Sequence, residues 1–253
     1  MPEEAVQSPR IAIVAAMEKE TRPFLAELEG TEETTLLGPS YGGPARFFTG
    51  TLGGLPVLLA ESGIGTTNAA VATTGVITGF VPHLIVVAGT AGGLEMGIGA
   101  GDLVVAESAL YHEADATEFG YLPGQIPRMP PAYCSSPVLR AQAKEALDAT
   151  GLPFLEGTVG SSNSFVTAAN AEDVRERFPG LLSVDMETAA IAQTCELFGV
   201  PWISLRAVSD LCEPDGAGKF RAHAPEAAAT SKQAVSAFLD VLENNPSSRQ
   251  DPA

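Results

Sequence analysis

With 253 residues and 45% hydrophobic content, the chain is long enough to bury one substantial core, and one large α/β domain accounts for it better than two small ones. Acidic residues number 31 against 14 basic, and the resulting formal charge of −17 repels a nucleic-acid polymer or an anionic membrane surface at long range, leaving a small neutral or cationic molecule as the expected ligand. Three widely spaced cysteines, Cys134, Cys195 and Cys212, form no CxxC pair, which argues against a disulfide framework or a structural zinc and for a reducing cytoplasm.

Residues 1–9 are acidic and lack an apolar core of signal-peptide length, so a flexible extension is expected before a single domain over 10–244, with a second flexible tail over 245–253. Residues 10–16 (RIAIVAA) predict a short buried strand that delivers Met17, Glu18, Lys19 and Glu20 to a sheet edge, with a helix starting just after. Either acid also suits a solvated first helical turn, where it complements the helix dipole. Residues 46–52 and 55–60 are predicted as antiparallel strands around Gly53 and Gly54. The ESGIG segment at 61–65 opens a helix over about 67–79. Glycines between a strand and a helix can cradle an anion on backbone N–H groups, but neither GxxxxGK[ST] nor a full GxGxxG is present, and tight packing explains them equally.

Residues 69–93 carry little charge, yet Pro82, His83 and several threonines and glycines interrupt them, so they read as a buried helix and strand and not as a membrane span. The strand covers 83–87. The small residues of 88–93 (AGTAGG) are expected to leave it, either as a sharp turn or as a place where a ligand approaches the backbone. Another strand is predicted at 102–106. His112 beside Glu113 and Asp115 matches no HExxH spacing and has no second histidine nearby, so no metal site is expected. Residues 119–131 (FGYLPGQIPRMPP) are too rich in Pro and Gly for a regular element and form a long aromatic loop of the kind that often carries function. Ser136 and Pro137 start a helix running to about 150, with Gly151 beyond its end. A strand over 157–160 runs into 161–166, where Phe165 is either core or an exposed stacking surface, and 171–178 is a short charged helix.

The organising stretch is 181–210. An apolar run over 181–184 stops at Asp185 and Glu187, a helix-period segment follows until Gly199, and Pro201 precedes a strand over 202–208 that runs into Ser209 and Asp210. A right-handed parallel crossover puts both strand ends on one sheet edge, so Glu187 and Asp210 are expected to face one crevice. Asp185 alone fits a helix cap as readily as a site carboxylate. Residues 212–218 read as a flexible segment carrying Phe220 and His223, able to act as a lid. Residues 225–243 form an amphipathic helix with Ala227, Ala234, Phe238 and Leu242 on one side.

Taken together, AMEKE at 16–20, SGIG at 62–65, GTAGG at 89–93, YHEADATEFGY at 111–121, SFV at 164–166, VDMETAAIA at 184–192 and RAVSD at 206–210 form a set that resembles the 5′-methylthioadenosine/S-adenosylhomocysteine nucleosidases of the nucleoside phosphorylase superfamily. The match spans residues 10–243 in the family's order, and the composite is far more specific than any one motif.

The resemblance implies a three-layer α/β/α fold around a mixed, partly closed central sheet, assembled as a homodimer. The implied reaction is hydrolysis of the bond between adenine and an alkylthio-ribose, with no cofactor. By position, Asp210 looks like the general acid that protonates the imidazole-ring nitrogen of adenine, oriented by Ser209, and Glu20 like the group that activates water. Glu187 looks like the carboxylate on the ribose hydroxyls, with Met186 under the sugar. Phe165 would stack on adenine, the Val166 backbone would read the base edge, and Phe220 would cover the ligand. Thr90, Arg206 and Ile64 fall on positions lining the water and sugar region, and Met17 among the substrate contacts. Phe119, Tyr121 and Pro127 would complete the neighbouring subunit's pocket. The family more often has Glu where Asp185 stands and Ser where Thr90 stands; neither departure removes a proposed catalytic group.

The chemistry agrees independently. Cleaving an N-glycosidic bond builds positive charge on the sugar, which carboxylates beside the ribose stabilise, and the leaving purine needs an acid still protonated near neutral pH. Two alternatives stand beside this reading: a nucleosidase for another purine nucleoside such as futalosine or aminofutalosine, and a non-catalytic nucleoside-binding protein on the same fold. Retention of Glu20, Glu187 and Asp210 together counts against the second.

Overall fold

In the computed structural model, residues 10–38 and 40–244 are described; the expected tails at 1–9 and 245–253 lie outside them. In chain order the elements are β1 (Ile11–Ala15), α1 (Glu18–Leu25), β2 (Glu29–Thr34), β3 (Arg46–Leu52), β4 (Leu55–Glu61), α2 (Thr66–Phe80), β5 (Leu84–Gly93) and β6 (Leu103–Tyr111). A single 3₁₀ turn (Thr117–Phe119) precedes β7 (Tyr133–Cys134), α3 (Pro137–Thr150), β8 (Phe154–Ser161), α4 (Ala171–Arg177), β9 (Ser183–Asp185), α5 (Thr188–Phe198), β10 (Trp202–Asp210) and α6 (Gly216–Asn244). Local chemistry accounts for many boundaries. Pro137 occupies the first turn of α3, and Gly151 ends it in the left-handed region at φ 69°. Gly199 does the same for α5 at φ 67°. No helix among the described residues is long and apolar enough to cross a membrane.

The strands form one mixed sheet in the order β10-β6-β8-β9-β5-β1-β4-β3-β2, and a further pairing between β10 and β5 closes its first five strands on themselves. Alternation along the strands divides the core. Ile11 and Ile13 of β1 face a cluster that includes Phe24 of α1, Leu147 of α3 and Phe238 of α6. Ala12 and Val14 face the other way, toward Val76 of α2 and Ile191 of α5. Helices on both faces of a mixed, partly closed sheet give the expected three-layer α/β/α architecture.

The structure departs from the sequence reading in four places that matter for the site. Residues 88–93 do not leave the sheet: β5 continues to Gly93, paired with β10 in register from Ile85 to Ala91 and again, past a shift, at Gly92. Small side chains allow this, and only Gly89 takes an unusual conformation, φ +124°. β10 likewise continues through Ser209 and Asp210, with a register shift against β5 between Val208 and Asp210. Such a bulge re-aims side chains, which is how two consecutive strand residues face one cavity.

Third, β9-α5-β10 is not a parallel crossover. β9 runs antiparallel to β5 while β10 runs parallel to it, because closure through the antiparallel β10–β6 pair reverses the sense of β6, β8 and β9. Glu187 and Asp210 still meet, but by sheet closure. Fourth, α6 begins at Gly216, not at Pro225, so Phe220 and His223 ride on helix instead of a loose segment. Buried Ala224, Ala227 and Ala228 hold the helix against its neighbours through the proline.

Gly89 is the tightest point of this frame. A Cβ there would stand 2.6 Å from Glu20 Oε1, in a backbone conformation that L side chains rarely adopt. Gly89→Ala is expected to lower stability by roughly 1–3 kcal/mol and to displace Glu20; a denaturant midpoint equal to that of the parent would contradict this.

Candidate active site

α1 starts directly beyond β1, and its third residue is Glu20. Glu18, one of the two acids offered by the sequence, is the solvated one: it points out and pairs with Arg22 at 2.9 Å. Glu20 points in and is 1% exposed. Its Oε2 accepts the N–H groups of Ala16 and Met17 at 3.0 and 3.1 Å, and its Oε1 accepts the Thr90 N–H and hydroxyl, both at 2.8 Å. Four donors on one carboxylate fix its position from two elements at once.

The turn from β9 into α5 carries the next two acids. Asp185 settles as the structural one. Its Oδ1 accepts from the Ser161 hydroxyl at 2.6 Å and from the N–H groups of Glu187 and Thr188 at 3.0 and 2.9 Å, and the Thr188 hydroxyl donates to Oδ2. This satisfies backbone donors at the start of α5. Glu187 is thereby aimed into the cavity, where it accepts the Gly65 N–H at 2.9 Å and an Arg206 N–H at 3.1 Å. The glycine turn before α2 does cradle an anion, and that anion is the chain's own Glu187. Arg206, 3% exposed in β10, also donates to the Thr90 carbonyl at 2.8 Å, while its Nε approaches Asp185 only to 3.6 Å and has no hydrogen-bond partner among the described residues.

Burial raises the Glu187 carboxyl to about 7 against the pull of Arg206 and the Gly65 N–H. Burial works against the Arg206 charge as well, but Asp185, Glu187 and Glu20 outweigh it and raise an already high pKa.

Asp210 closes the far side at the end of β10 and is 2% exposed. The Ser209 hydroxyl lies 3.0 Å from its Oδ2 and 3.2 Å from the Ala91 carbonyl, and the Cys212 N–H donates to Oδ1 at 3.3 Å. Burial raises the Asp210 carboxyl above the usual carboxylate range, although both hydrogen bonds oppose the shift. Two aromatic rings form the remaining wall. Phe165 is 42% exposed, so it is cavity surface and not core, and it meets Phe220 edge-on with ring centres 5.9 Å apart. Lys19 stands over the other ring partner, its Nζ 4.6 Å from the Phe220 centroid.

These groups surround one cavity that opens to solvent at its mouth. Glu20, Asp210 and Ser209 line it together with Met17, Ile64, Thr90, Phe165, Val166, Met186, Glu187, Arg206 and Phe220, so twelve residues read from the sequence converge on one place. Phe119, Tyr121 and Pro127 do not line it, and Phe119 is 83% exposed. Ser161, which donates to Asp185 and accepts the Ala189 N–H at 2.9 Å, was not legible as a site-supporting residue. A buried strand-end serine carries no local signal of its own.

A partly closed mixed sheet with helices on both faces, and an acidic, aromatic-walled cavity where β1, β5 and β10 meet, define the nucleoside-phosphorylase-like class of α/β proteins. The sequence model described as the phosphorylase superfamily matches residues 10–240. A 5′-methylthioadenosine/S-adenosylhomocysteine nucleosidase of Chromohalobacter salexigens is 37% identical over 235 residues, covering 92% of this chain and 97% of its own. The structure of S-adenosylhomocysteine nucleosidase from Streptococcus pyogenes, in complex with 5-methylthiotubericidin, superposes with a TM-score of 0.88 at 33% identity over 94% of this chain and 99% of that one. Futalosine hydrolase of Helicobacter pylori follows at a TM-score of 0.84 and 29% identity, over 92% and 98% of the two chains. The chain belongs to the phosphorylase superfamily and, within it, to the 5′-methylthioadenosine/S-adenosylhomocysteine nucleosidase family.

The Glu187–Arg206 pair yields a stability prediction. Arg206→Met removes the charge that faces two buried acids and leaves the Thr90 carbonyl without its side-chain donor, so a loss of roughly 3–5 kcal/mol is expected. Equilibrium unfolding at neutral pH measures it, and a loss under about 1 kcal/mol would show that the pair is dispensable.

Proposed function

We propose that the protein hydrolyses the N-glycosidic bond of 5′-methylthioadenosine and S-adenosylhomocysteine, releasing adenine and the alkylthio-ribose. The observation that carries this reading is the placement of three buried acids at three stations of one cavity, each in a different environment. Glu20 is seated on four donors, Glu187 faces an arginine, and Asp210 is held toward its protonated form by burial. One reaction uses all three. Asp210, oriented by Ser209, gives its proton to the imidazole ring of adenine as the bond from sugar carbon to base nitrogen breaks. Water supplies the oxygen of the new bond to that carbon and loses its proton to Glu20. Glu187 holds the ribose hydroxyls, with Met186 under the sugar, and its charge stabilises the cation that develops there. Phe165 stacks on the purine, the Val166 backbone reads its edge, Phe220 covers it, and Met17, Ile64 and Thr90 shape the rest of the pocket. No step calls for a metal or an organic cofactor, and the site is that of a small-molecule enzyme working in the cytoplasm, not of a nucleic-acid or membrane protein.

Phosphate is a poor alternative nucleophile here. Among the described lining residues Arg206 is the one cationic side chain, and it is already engaged by Glu187 and the Thr90 carbonyl. Glu20, Asp185 and Glu187 would all repel a dianion. Similarity to a futalosine hydrolase keeps that nucleoside in view as a substrate, because the same three acids serve any purine leaving group. Assay against a panel of purine nucleosides, with the released base identified by chromatography, separates the two.

Adenine release is expected to run at the same rate with and without phosphate and to yield the free alkylthio-ribose, whereas a sugar phosphate as product would refute hydrolysis. Asp210→Asn should keep the fold and ligand binding while lowering turnover by about 10²-fold or more, and Glu20→Gln should lose most turnover. Normal activity in a folded Asp210→Asn enzyme would remove the acid from its role.

Assembly completes the proposal. Phe119 and Leu122 are largely exposed, and Pro127 is exposed beside them, on a loop too apolar to be left wet. We place this loop in a twofold homodimer, where Phe119, Tyr121 and Pro127 complete the partner's pocket. Light scattering at working enzyme concentration should give twice the chain mass, and a fully active monomer would contradict it.

A further inference from the structure

We infer that Ser231, in the middle of α6 and outside the cavity, is a positioning residue for the Glu20 carboxylate. Ser231 is fully buried. Its hydroxyl accepts the Gly89 N–H at 2.9 Å and donates to the Leu205 carbonyl at 2.6 Å. Gly89 and Leu205 belong to the adjacent strands β5 and β10, in a register that sets Arg206 opposite Gly89 and Leu205 opposite Ala88. In a regular parallel ladder, neighbouring groups of this kind bond to each other directly. Here a side-chain hydroxyl from a third element also bonds to both of them.

The consequence is felt one residue further on. Gly89, held at φ +124°, turns the chain so that the Thr90 N–H and hydroxyl both reach Glu20 Oε1 at 2.8 Å. Those are two of the four donors that seat the carboxylate. Without the Ser231 hydroxyl, the Gly89 N–H and the Leu205 carbonyl lose the bonds that tie them to α6, and the backbone at Gly89, whose conformation sets Thr90, is free to shift away from Glu20. That shift loosens the Oε1 side of Glu20 and leaves the lining residues Phe165, Val166 and Met186 in place. Ser231 therefore serves the chemical step more than the binding step. The inference rests on the reading of Glu20 as the group that takes the proton of water.

Sequence position offers a signal for it. Ser231 falls on the apolar face of α6, four residues after Ala227 and three before Ala234, where a polar side chain with no task is out of place.

The test is a double-mutant cycle of Ser231→Ala with Glu20→Gln, read by the rate of adenine release, with the unfolding midpoint of every variant measured alongside. Ser231→Ala is expected to lower kcat by about tenfold or more with KM changed by less than about threefold, and to cost less than about twofold in the Glu20→Gln background, where the base is already lost. Ser231→Thr, which keeps the hydroxyl, should recover most of the turnover. If Ser231→Ala does not fold, Ser231→Cys, with its weak donor and acceptor, goes through the same cycle. An impaired Glu20→Gln enzyme in which the Ser231 change costs the same factor as in the parent overturns this inference alone, as does a folded Ser231→Ala enzyme with parental kcat. Parental turnover in Glu20→Gln overturns the base assignment, and this inference falls with it.

Discussion

One edge of β5 is shared. β1 pairs along it from Leu84 to Val87 and β9 takes it up at Gly92 and Gly93, so among the described residues no strand lies beside the stretch between. Backbone groups buried there need partners, because an unmet donor or acceptor in the interior costs on the order of 1–3 kcal/mol. Side chains supply them: Glu20 takes the Thr90 N–H, and Arg206 donates to the Thr90 carbonyl. The gap in the sheet is thus the floor of the cavity, and the residues that close its hydrogen bonding are those to which the proposed chemistry falls.

This arrangement couples stability to function. Glu20 and Arg206 cannot be removed without orphaning buried backbone, and the Glu187–Arg206 pair cannot be split without leaving a charge in a dry site. Asp185 extends the coupling to α5, since its contacts with Ser161, Glu187 and Thr188 set where the helix begins and hence where Glu187 points. α6 ties both ends together: it carries Phe220 at the mouth and Ser231 against the sheet, three turns apart on one rigid element.

The same burial acts differently on each acid because each has different neighbours. Glu187 and Asp210 are both raised by desolvation, Glu187 against an arginine and Asp210 against a hydroxyl and one N–H. Glu18, two residues from Glu20, sits in water and pairs with a surface arginine. Identical chemistry in the chain becomes distinct chemistry in the fold through position alone.

Much of this was legible in the linear chain. The period-2 and helical patterns located β1, α3, α5 and β10 to within a residue or two, because Pro137, Gly151, Gly199 and Pro201 act on backbone dihedrals that depend only on the residue itself. The resemblance that the motifs from AMEKE to RAVSD carry was enough to collect twelve of the residues that line the cavity. What the chain could not show was which acid of a pair turns inward, that AGTAGG stays in the sheet, that β9 and β10 run in opposite senses, or that a serine in α6 braces the strand under Glu20. Each of these depends on at least one partner 70 or more residues away in sequence. Local propensity sets an element's type and ends, whereas the facing of its side chains is settled only when sheet closure decides which backbone groups are left to be satisfied.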